Sequence, residues 1–201
     1  MSKLQVASVL KTPDKKLNIS SSFSPIGTPN RELTGTSKTA YTHSCTLNSY
    51  IETWNNLQKK GLLLCRTIQA LKLHEIIGGG YPSQLVSLCE SLLEASNGME
   101  HVVEGMQTLS KQLNALAKLC STSEAIVNTW SASKLALEVE TCSRRFNAEH
   151  QLKKIVTENI AHCREECLTE AYVSSWEYNI YIDNAAVDLI LVEMGLTAQI
   201  H

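Results

Sequence analysis

A run of apolar residues, spaced alternately by three and four positions, is the feature of this sequence that most limits its fold. The run has no polar interruption and comprises Leu85, Leu88, Leu92, Ala95, Met99, Val102, Met106, Leu109, Leu113, Leu116 and Cys120. This period places all its members on one side of an α-helix. At about 1.5 Å per residue the helix is about 54 Å long, too long for one compact neighbour to cover. The spacing therefore predicts long neighbouring helices.

The residues that flank this apolar run indicate what kind of helix packs against it. They occupy the e and g positions of a heptad and hold no charge, although charged pairs there usually select the partner in two-stranded coiled coils. Gly98 and Gly105 each cost about 1 kcal/mol relative to alanine in a helix interior, a cost that close helix packing offsets. These features favour a bundle within one chain. A homodimeric coiled-coil tether stays open as the alternative, because the heptad pattern is unbroken.

Periodic apolar residues elsewhere predict two further long helices and a short one near the C-terminus. The first runs over about 47–77 and ends at the Gly-Gly-Gly-Tyr-Pro sequence of 78–82, which turns the chain. The next runs over about 133–160. Asp183 is a candidate N-cap for a short helix that Gly195 ends. The charged residues of the 133–160 helix are typical of a solvated face and comprise Glu138, Glu140, Arg144, Arg145, Glu149, Lys153, Lys154 and Glu158.

Together these segments predict an all-α protein with two parts. The main part, 45–201, is an elongated helical bundle or coiled coil of three long helices plus short C-terminal helices, and it ends in an aromatic segment, 168–201. Residues 1–44 are rich in Ser, Thr, Pro and Lys and lack periodic apolar residues, so we expect a disordered N-terminal tail. No apolar run is long enough to span a membrane. No basic stripe with interleaved aromatic residues indicates nucleic-acid binding.

The N-terminal tail contains three hydroxyl-proline pairs. Thr12 and Thr28 each precede a proline, one further residue and a base, and Ser24 precedes a proline alone. This pattern is typical of cyclin-dependent kinase substrates, because proline favours an extended backbone and the base meets an acidic pocket. Thr12, Ser24 and Thr28 are therefore candidate phosphosites. The alternative is that such pairs occur in any tail of this composition.

Four large aromatic residues lie close together near the C-terminus. They are Tyr172, Trp176, Tyr178 and Tyr181. Aromatic side chains dominate binding energy at many protein interfaces, which makes this group a candidate partner-docking site. They also anchor protein cores, so the other interpretation is a structural clasp that closes the end of the bundle.

The sequence offers little that indicates catalysis or metal binding. His162, Cys163 and Cys167 form a cluster, but a zinc site needs four ligands, and two cysteines four apart on a helix supply two at most. Paired carboxylates are missing from the apolar faces, and no Lys-Ser or Lys-Thr follows the glycine run. We therefore expect no enzyme activity, no cofactor and no metal. A small Cys/His metalloprotein is the less favoured alternative.

Several short motifs in the second half of the chain follow one another in the order of a known family. The most specific are Thr129-Trp130, the Lys-rich stretch that ends in Ala161-His162, and Tyr172-x-x-x-Trp176 followed by Tyr181-Ile182-Asp183. In this order they resemble the cyclin-dependent kinase 2-interacting protein family, and the likeness covers nearly the whole predicted bundle. Asn179-Ile180 stands where the family pattern leads us to expect a proline, as in a divergent member.

The resemblance implies a small non-catalytic adaptor and no catalytic residues. The partners that it implies are cyclin-dependent kinase complexes, replication-initiation kinase complexes and checkpoint factors. It also implies subunits of an AAA ATPase assembly that serves ribosome maturation and replisome turnover. The implied location is nuclear, with a cytoplasmic pool as a further option. Neither direct nucleic-acid binding nor membrane binding is expected.

Overall fold

The computed structural model of the chain describes residues 35–75, 83–120 and 124–196. These ranges contain five α-helices, namely α1 Thr36–Glu75, α2 Ser83–Leu119, α3 Ala132–Asn159, α4 Glu166–Glu177 and α5 Asn184–Glu193. Within them there is no β-strand, only an isolated bridge between Ala125 and Ser131. The predicted all-α fold of three long helices followed by short ones is confirmed. The candidate phosphosites Thr12, Ser24 and Thr28 lie outside the described residues.

Helix α1 begins earlier than the sequence predicted. Residues 36–44 were assigned to the tail, but they form the first turns of α1, directly after Gly35 at φ 62°. Small side chains make the core contacts here, because Ala40 and Ser44 are fully buried. The Ser44 hydroxyl donates to the Ala40 carbonyl at 2.8 Å, which satisfies it inside the core. The start of the bundle thus lies near residue 36 instead of 45.

Helix α2 is the central helix, since it packs against both α1 and α3. Nine of the eleven residues in its apolar run are buried, and Leu88 and Cys120 are half-buried. Within the same core Trp54 of α1 and Phe146 of α3 meet edge to face, with ring centroids 5.0 Å apart. The long apolar side of α2 is therefore covered by helices of the same chain.

The two glycines of α2 lie where α1 approaches closely. A Cβ atom on Gly105 would lie 2.4 Å from Cζ of Tyr50, a distance that no real contact allows. A Cβ on Gly98 would lie 3.1 Å from Cδ1 of Leu57. The close helix packing that was expected at these positions is what the structure shows, and it accounts for glycine in a helix interior.

Local signals set the ends of the later helices. The Ser131 side chain accepts a hydrogen bond from the Lys134 amide and caps α3. Asp183 caps α5 by accepting from the Ala186 amide at 3.2 Å, as predicted. Gly195 follows α5 at φ 77°, where a residue with a side chain is strained. Among the described helices, none is both long and apolar enough to cross a bilayer.

Candidate partner-docking segment

A buried lysine holds the connection between α4 and α5, residues 178–183, against the bundle. Lys153 of α3 is fully buried, and its Nζ donates to the carbonyls of Ser175, Trp176 and Tyr178 at 2.7, 3.0 and 3.0 Å. These carbonyls lie at the C-terminal end of α4, where helix geometry leaves carbonyl groups without an intrahelical donor. The ammonium charge also complements the negative end of the helix dipole. Lys153 therefore fixes the end of α4.

Glu149 completes this anchor from one turn earlier in α3. It is also fully buried, with Oε1 2.8 Å from Nζ of Lys153, and its Oε2 accepts from the Tyr181 amide at 2.7 Å. The ion pair thus binds the backbone of the connection at two points, the Tyr178 carbonyl and the Tyr181 amide. Burial lowers the pKa of Lys153, and the hydrogen bond with Glu149 opposes that shift.

The prediction that α3 carries its charges on a solvated face was wrong for these two residues. Lys153 and Glu149 face α4 and the α4–α5 connection, where backbone groups distant in sequence bind the ammonium and Oε2 of Glu149, while Oε1 meets the Lys153 ammonium alone. A buried ion pair is tolerated when such additional hydrogen bonds complete it. The i, i+4 spacing of the pair is the same as that of an exposed pair, so sequence spacing could not reveal the burial.

Trp176 of α4 occupies a notch in α1. Its indole Nε1 donates to the Gln58 carbonyl at 3.1 Å, and the side chain is fully buried. The notch exists because residue 61 is glycine, since a Cβ there would lie 2.1 Å from Cζ2 of the indole. Trp176 therefore has the position of the structural clasp. In this arrangement its ring is not available as an exposed anchor for a partner.

The Gln58 side chain adds polar contacts to the same junction. Its Nε2 donates to the Glu177 carbonyl at 2.9 Å, and its Oε1 accepts from Nδ2 of Asn179 at 3.0 Å. The Glu177 carboxylate pairs with Arg66 at 2.8 Å on the surface. Helix α1 therefore holds the end of α4 and the start of the connection through the side chains of Gln58 and Arg66.

A second lysine holds the turn between α3 and α4. Lys72 of α1 donates through Nζ to the Ile160 carbonyl at 2.7 Å and to the Cys163 carbonyl. These carbonyls lie at the end of α3 and in the turn that leads into α4. Burial lowers the pKa of Lys72. Lys72 thus fixes the turn that precedes α4, and Lys153 fixes the C-terminal end of α4.

On this fixed backbone, three large side chains of the connection face solvent. Tyr178 is 66% exposed, Ile180 63% and Tyr181 51%. Tyr172 lies half-buried on α4 and packs against the core. The four predicted docking residues therefore divide, with Tyr172 and Trp176 turned inward and Tyr178 and Tyr181 exposed. Ile180 was not among the predicted docking residues, because its only signal in the sequence is its position between two tyrosines in a non-periodic stretch.

The three residues considered for metal binding differ in their exposure to solvent. His162 and Cys167 are exposed and Cys163 is half-buried, and all seven cysteines are free. In the described ranges no three or more His, Cys, Asp or Glu side chains gather as they would around a metal ion. Burial raises the pKa of Cys65 and of Cys142 to about 12, so both thiols are protonated and weak nucleophiles near neutral pH.

Comparison with known proteins gives a distant relationship. No protein-family model matches the chain. The chain is similar to the cyclin-dependent kinase 2-interacting protein of Bos taurus, with 23% identity over 125 residues, which are 57% of this chain and 59% of the bovine protein. The match thus spans less than two thirds of the length of that relative. It agrees with the family resemblance seen in the motifs at the level of a distant relationship.

Proposed function

We propose that this protein is a non-catalytic adaptor that binds partner proteins through the exposed side chains of the α4–α5 connection. The observation that carries the proposal is the contrast between a fixed backbone and exposed apolar side chains. Tyr178, Ile180 and Tyr181 project from a segment that Lys153 and Glu149 hold on both sides. Large side chains on a preorganised backbone lose little conformational entropy on binding.

The distant bovine relative supports the class of partner. Its name describes a protein that interacts with cyclin-dependent kinase 2. We propose cell-cycle kinase complexes as partners of this chain, together with replication and checkpoint factors in the nucleus. Membership of an AAA ATPase assembly for ribosome maturation and replisome turnover is the most specific form of the proposal, and it rests on the motif resemblance alone.

The homodimeric tether is the less supported alternative. A tether of this kind needs the apolar side of α2 for pairing with a second copy. In the described part of the chain that side is covered by α1 and α3, with Leu92, Met99 and Met106 fully buried. A dimer through it would require the bundle to open. We therefore expect a monomer in the absence of partners, which light scattering measures.

Affinity capture with quantitative mass spectrometry tests the adaptor proposal. The variant Tyr178→Ala/Ile180→Ala/Tyr181→Ala removes the exposed anchors and leaves the buried network in place. The control is Leu63→Ala, because Leu63 on α1 is equally exposed, at 68%. Hot-spot residues cost about 2 kcal/mol or more on truncation, about thirtyfold in affinity. We expect kinase-complex or ATPase subunits to be lost from the triple variant and retained by the control. Equal recovery by both variants would contradict the proposed docking segment.

A further inference from the structure

The exposed apolar residues of the α4–α5 connection continue onto α5. Ala185, Leu189 and Val192 lie at i, i+4 and i+7, so they share one side of α5, and Leu189 and Val192 are 53% and 52% exposed. The opposite side of α5, with Val187 and Ile190, is buried. Apolar residues thus lie on both the buried and the exposed side of α5, and Asp188 shares the exposed side with them. We define the C-terminal apolar surface as Tyr178, Ile180, Tyr181, Ala185, Leu189 and Val192.

Contacts with α3 give the length and direction of this surface. The Tyr178 carbonyl binds Lys153, the Tyr181 amide binds Glu149, and Asp183 pairs with Arg145 at 3.3 Å. The segment therefore runs antiparallel to α3. Ile190 lines a cavity together with Glu138, so the surface extends along α3 from about residue 153 to about residue 138. At about 1.5 Å per residue this distance is about 22 Å, or four turns of a helix that lies on it.

The charged residues of the chain segment that carries the C-terminal apolar surface are all acidic, and helix α3 beside it contributes Arg145. Residues 165–196 contain no Lys, Arg or His, and their acidic residues are Glu165, Glu166, Glu170, Glu177, Asp183, Asp188 and Glu193. Some of these have partners, since Glu177 pairs with Arg66, Asp183 pairs with Arg145, and Glu193 accepts from the amide and hydroxyl of Thr129. Glu170 and Asp188 are exposed. A ligand that covers the apolar residues therefore meets a negative field.

A cavity of about 70 Å³ beside this surface is also lined by both apolar and acidic side chains. Its lining between α3 and α5 includes Phe146, Val187 and Ile190, the carboxylate of Glu138, and Asp183 with its partner Arg145. Glu138 is half-buried. An apolar wall next to a carboxylate suits the side chain of lysine or arginine, whose aliphatic stem packs while the charged head meets the acid.

We propose that the C-terminal apolar surface binds a basic amphipathic helix of a partner protein. The inference rests on the proposed adaptor function and adds the chemistry of the partner segment. Apolar residues of that helix would cover Tyr181 and Leu189, and its Lys or Arg residues would face Asp188 and Glu138. The negative field repels phosphate groups, which argues against nucleic acid and anionic lipid as ligands. A helix on an apolar groove is an established mode of peptide recognition.

Three synthetic peptides of about 16 residues, roughly 24 Å of helix, test this inference with the full chain. The first has leucines at i, i+3, i+4 and i+7 with lysines elsewhere. The second has glutamates in place of the lysines, and the third has the composition of the first in an order without an apolar side. Fluorescence anisotropy is measured for each peptide. We expect the first to bind at least about tenfold more tightly than the others, a difference of about 1.4 kcal/mol.

Two variants locate the binding. Leu189→Ser should weaken the first peptide about fivefold or more, whereas Leu63→Ser, at an exposed leucine of α1, should leave its affinity unchanged. The inference is overturned if the three peptides bind equally or not at all, or if both variants bind the first peptide alike. It is also overturned if light scattering shows a dimer that Leu189→Ser dissociates, because the occupant is then a second copy.

Failure of this inference and failure of the adaptor proposal have different signatures. If the three peptides bind with equal affinity while the triple variant still loses its partners in affinity capture, only the inference of a basic helix is contradicted. Equal recovery of partners by that variant contradicts the adaptor proposal itself. The peptide titrations and the capture experiment therefore separate the two.

Discussion

Replacing Lys153 by methionine removes the central group of the buried anchor. The change leaves the Glu149 carboxylate without its counter-ion and removes the ammonium donor from the carbonyls of Ser175, Trp176 and Tyr178, of which that of Trp176 keeps a hydrogen bond from Gln58 at 3.4 Å. Breaking a buried pair by removing one member costs about 3–5 kcal/mol. For a chain of this size that is a fall in Tm of about 6–20 °C. Urea denaturation followed by circular dichroism measures the free energy of unfolding.

The adjacent residue supplies the matched control for this variant. Lys154 is exposed, so Lys154→Met removes the same charge from the same helix without touching the anchor, and it should change stability by less than about 0.5 kcal/mol. Hydrogen exchange should show the loss of protection first in α4 and the α4–α5 connection. A cost below about 1 kcal/mol for Lys153→Met would refute the claim that Lys153 fixes α4.

A double-mutant cycle separates the ion pair from the carbonyl contacts. Glu149→Met removes the counter-ion of the Lys153 ammonium and the acceptor of the Tyr181 amide. The double variant Glu149→Met/Lys153→Met removes both charges together. The double variant should therefore be less destabilised than the two single variants combined, by about 0.5–3 kcal/mol. It should not regain wild-type stability, because the carbonyls at the end of α4 still lack the ammonium donor. Strict additivity would show that the two side chains do not interact.

Three other predictions follow from single sites. Gly61→Ala puts a Cβ 2.1 Å from the Trp176 ring and should cost about 1–3 kcal/mol in urea denaturation, whereas Gly98→Ala, with its nearest atom at 3.1 Å, should cost less. Burial lowers the pKa of His150 and of His43, so stability should fall as pH drops below about 6.5, and His150→Gln should reduce that fall in urea denaturation at several pH values. Incubation with a cyclin-dependent kinase should phosphorylate at least one of the tail sites in mass spectrometry, namely Thr12, Ser24 and Thr28, and an unmodified tail would contradict their assignment.

Periodicity predicted the helices well because a long helix repeats its apolar residues in the sequence itself. The buried side of α2 could be identified in this way, residue by residue. The start of α1 could not, because Ala40 and Ser44 are small and give no apolar signal. The short helix α5 raised a different difficulty. Apolar residues lie on both its buried and its exposed side, so the sequence could not distinguish the buried Ile190 from the exposed Leu189.

The candidate site was harder to predict because it depends on contacts between distant parts of the chain. The aromatic cluster was visible in the sequence, but the burial of Trp176 depends on Gly61 and Gln58 in α1. The fixed backbone of the connection depends on Lys153 and Glu149, whose spacing also fits a solvated helix face. Tertiary hydrogen bonds thus decide which aromatic residues are exposed, and a linear pattern does not contain them.

Surface plasmon resonance with a purified cyclin-dependent kinase 2–cyclin complex from the same organism tests the central claim most directly. The wild-type chain, Tyr178→Ala/Tyr181→Ala and the control Leu63→Ala are compared after each is shown to unfold cooperatively. The account predicts binding by the wild type and the control, and an affinity at least about thirtyfold lower for the double variant. No binding by the wild type, or equal affinity of the double variant, would contradict it.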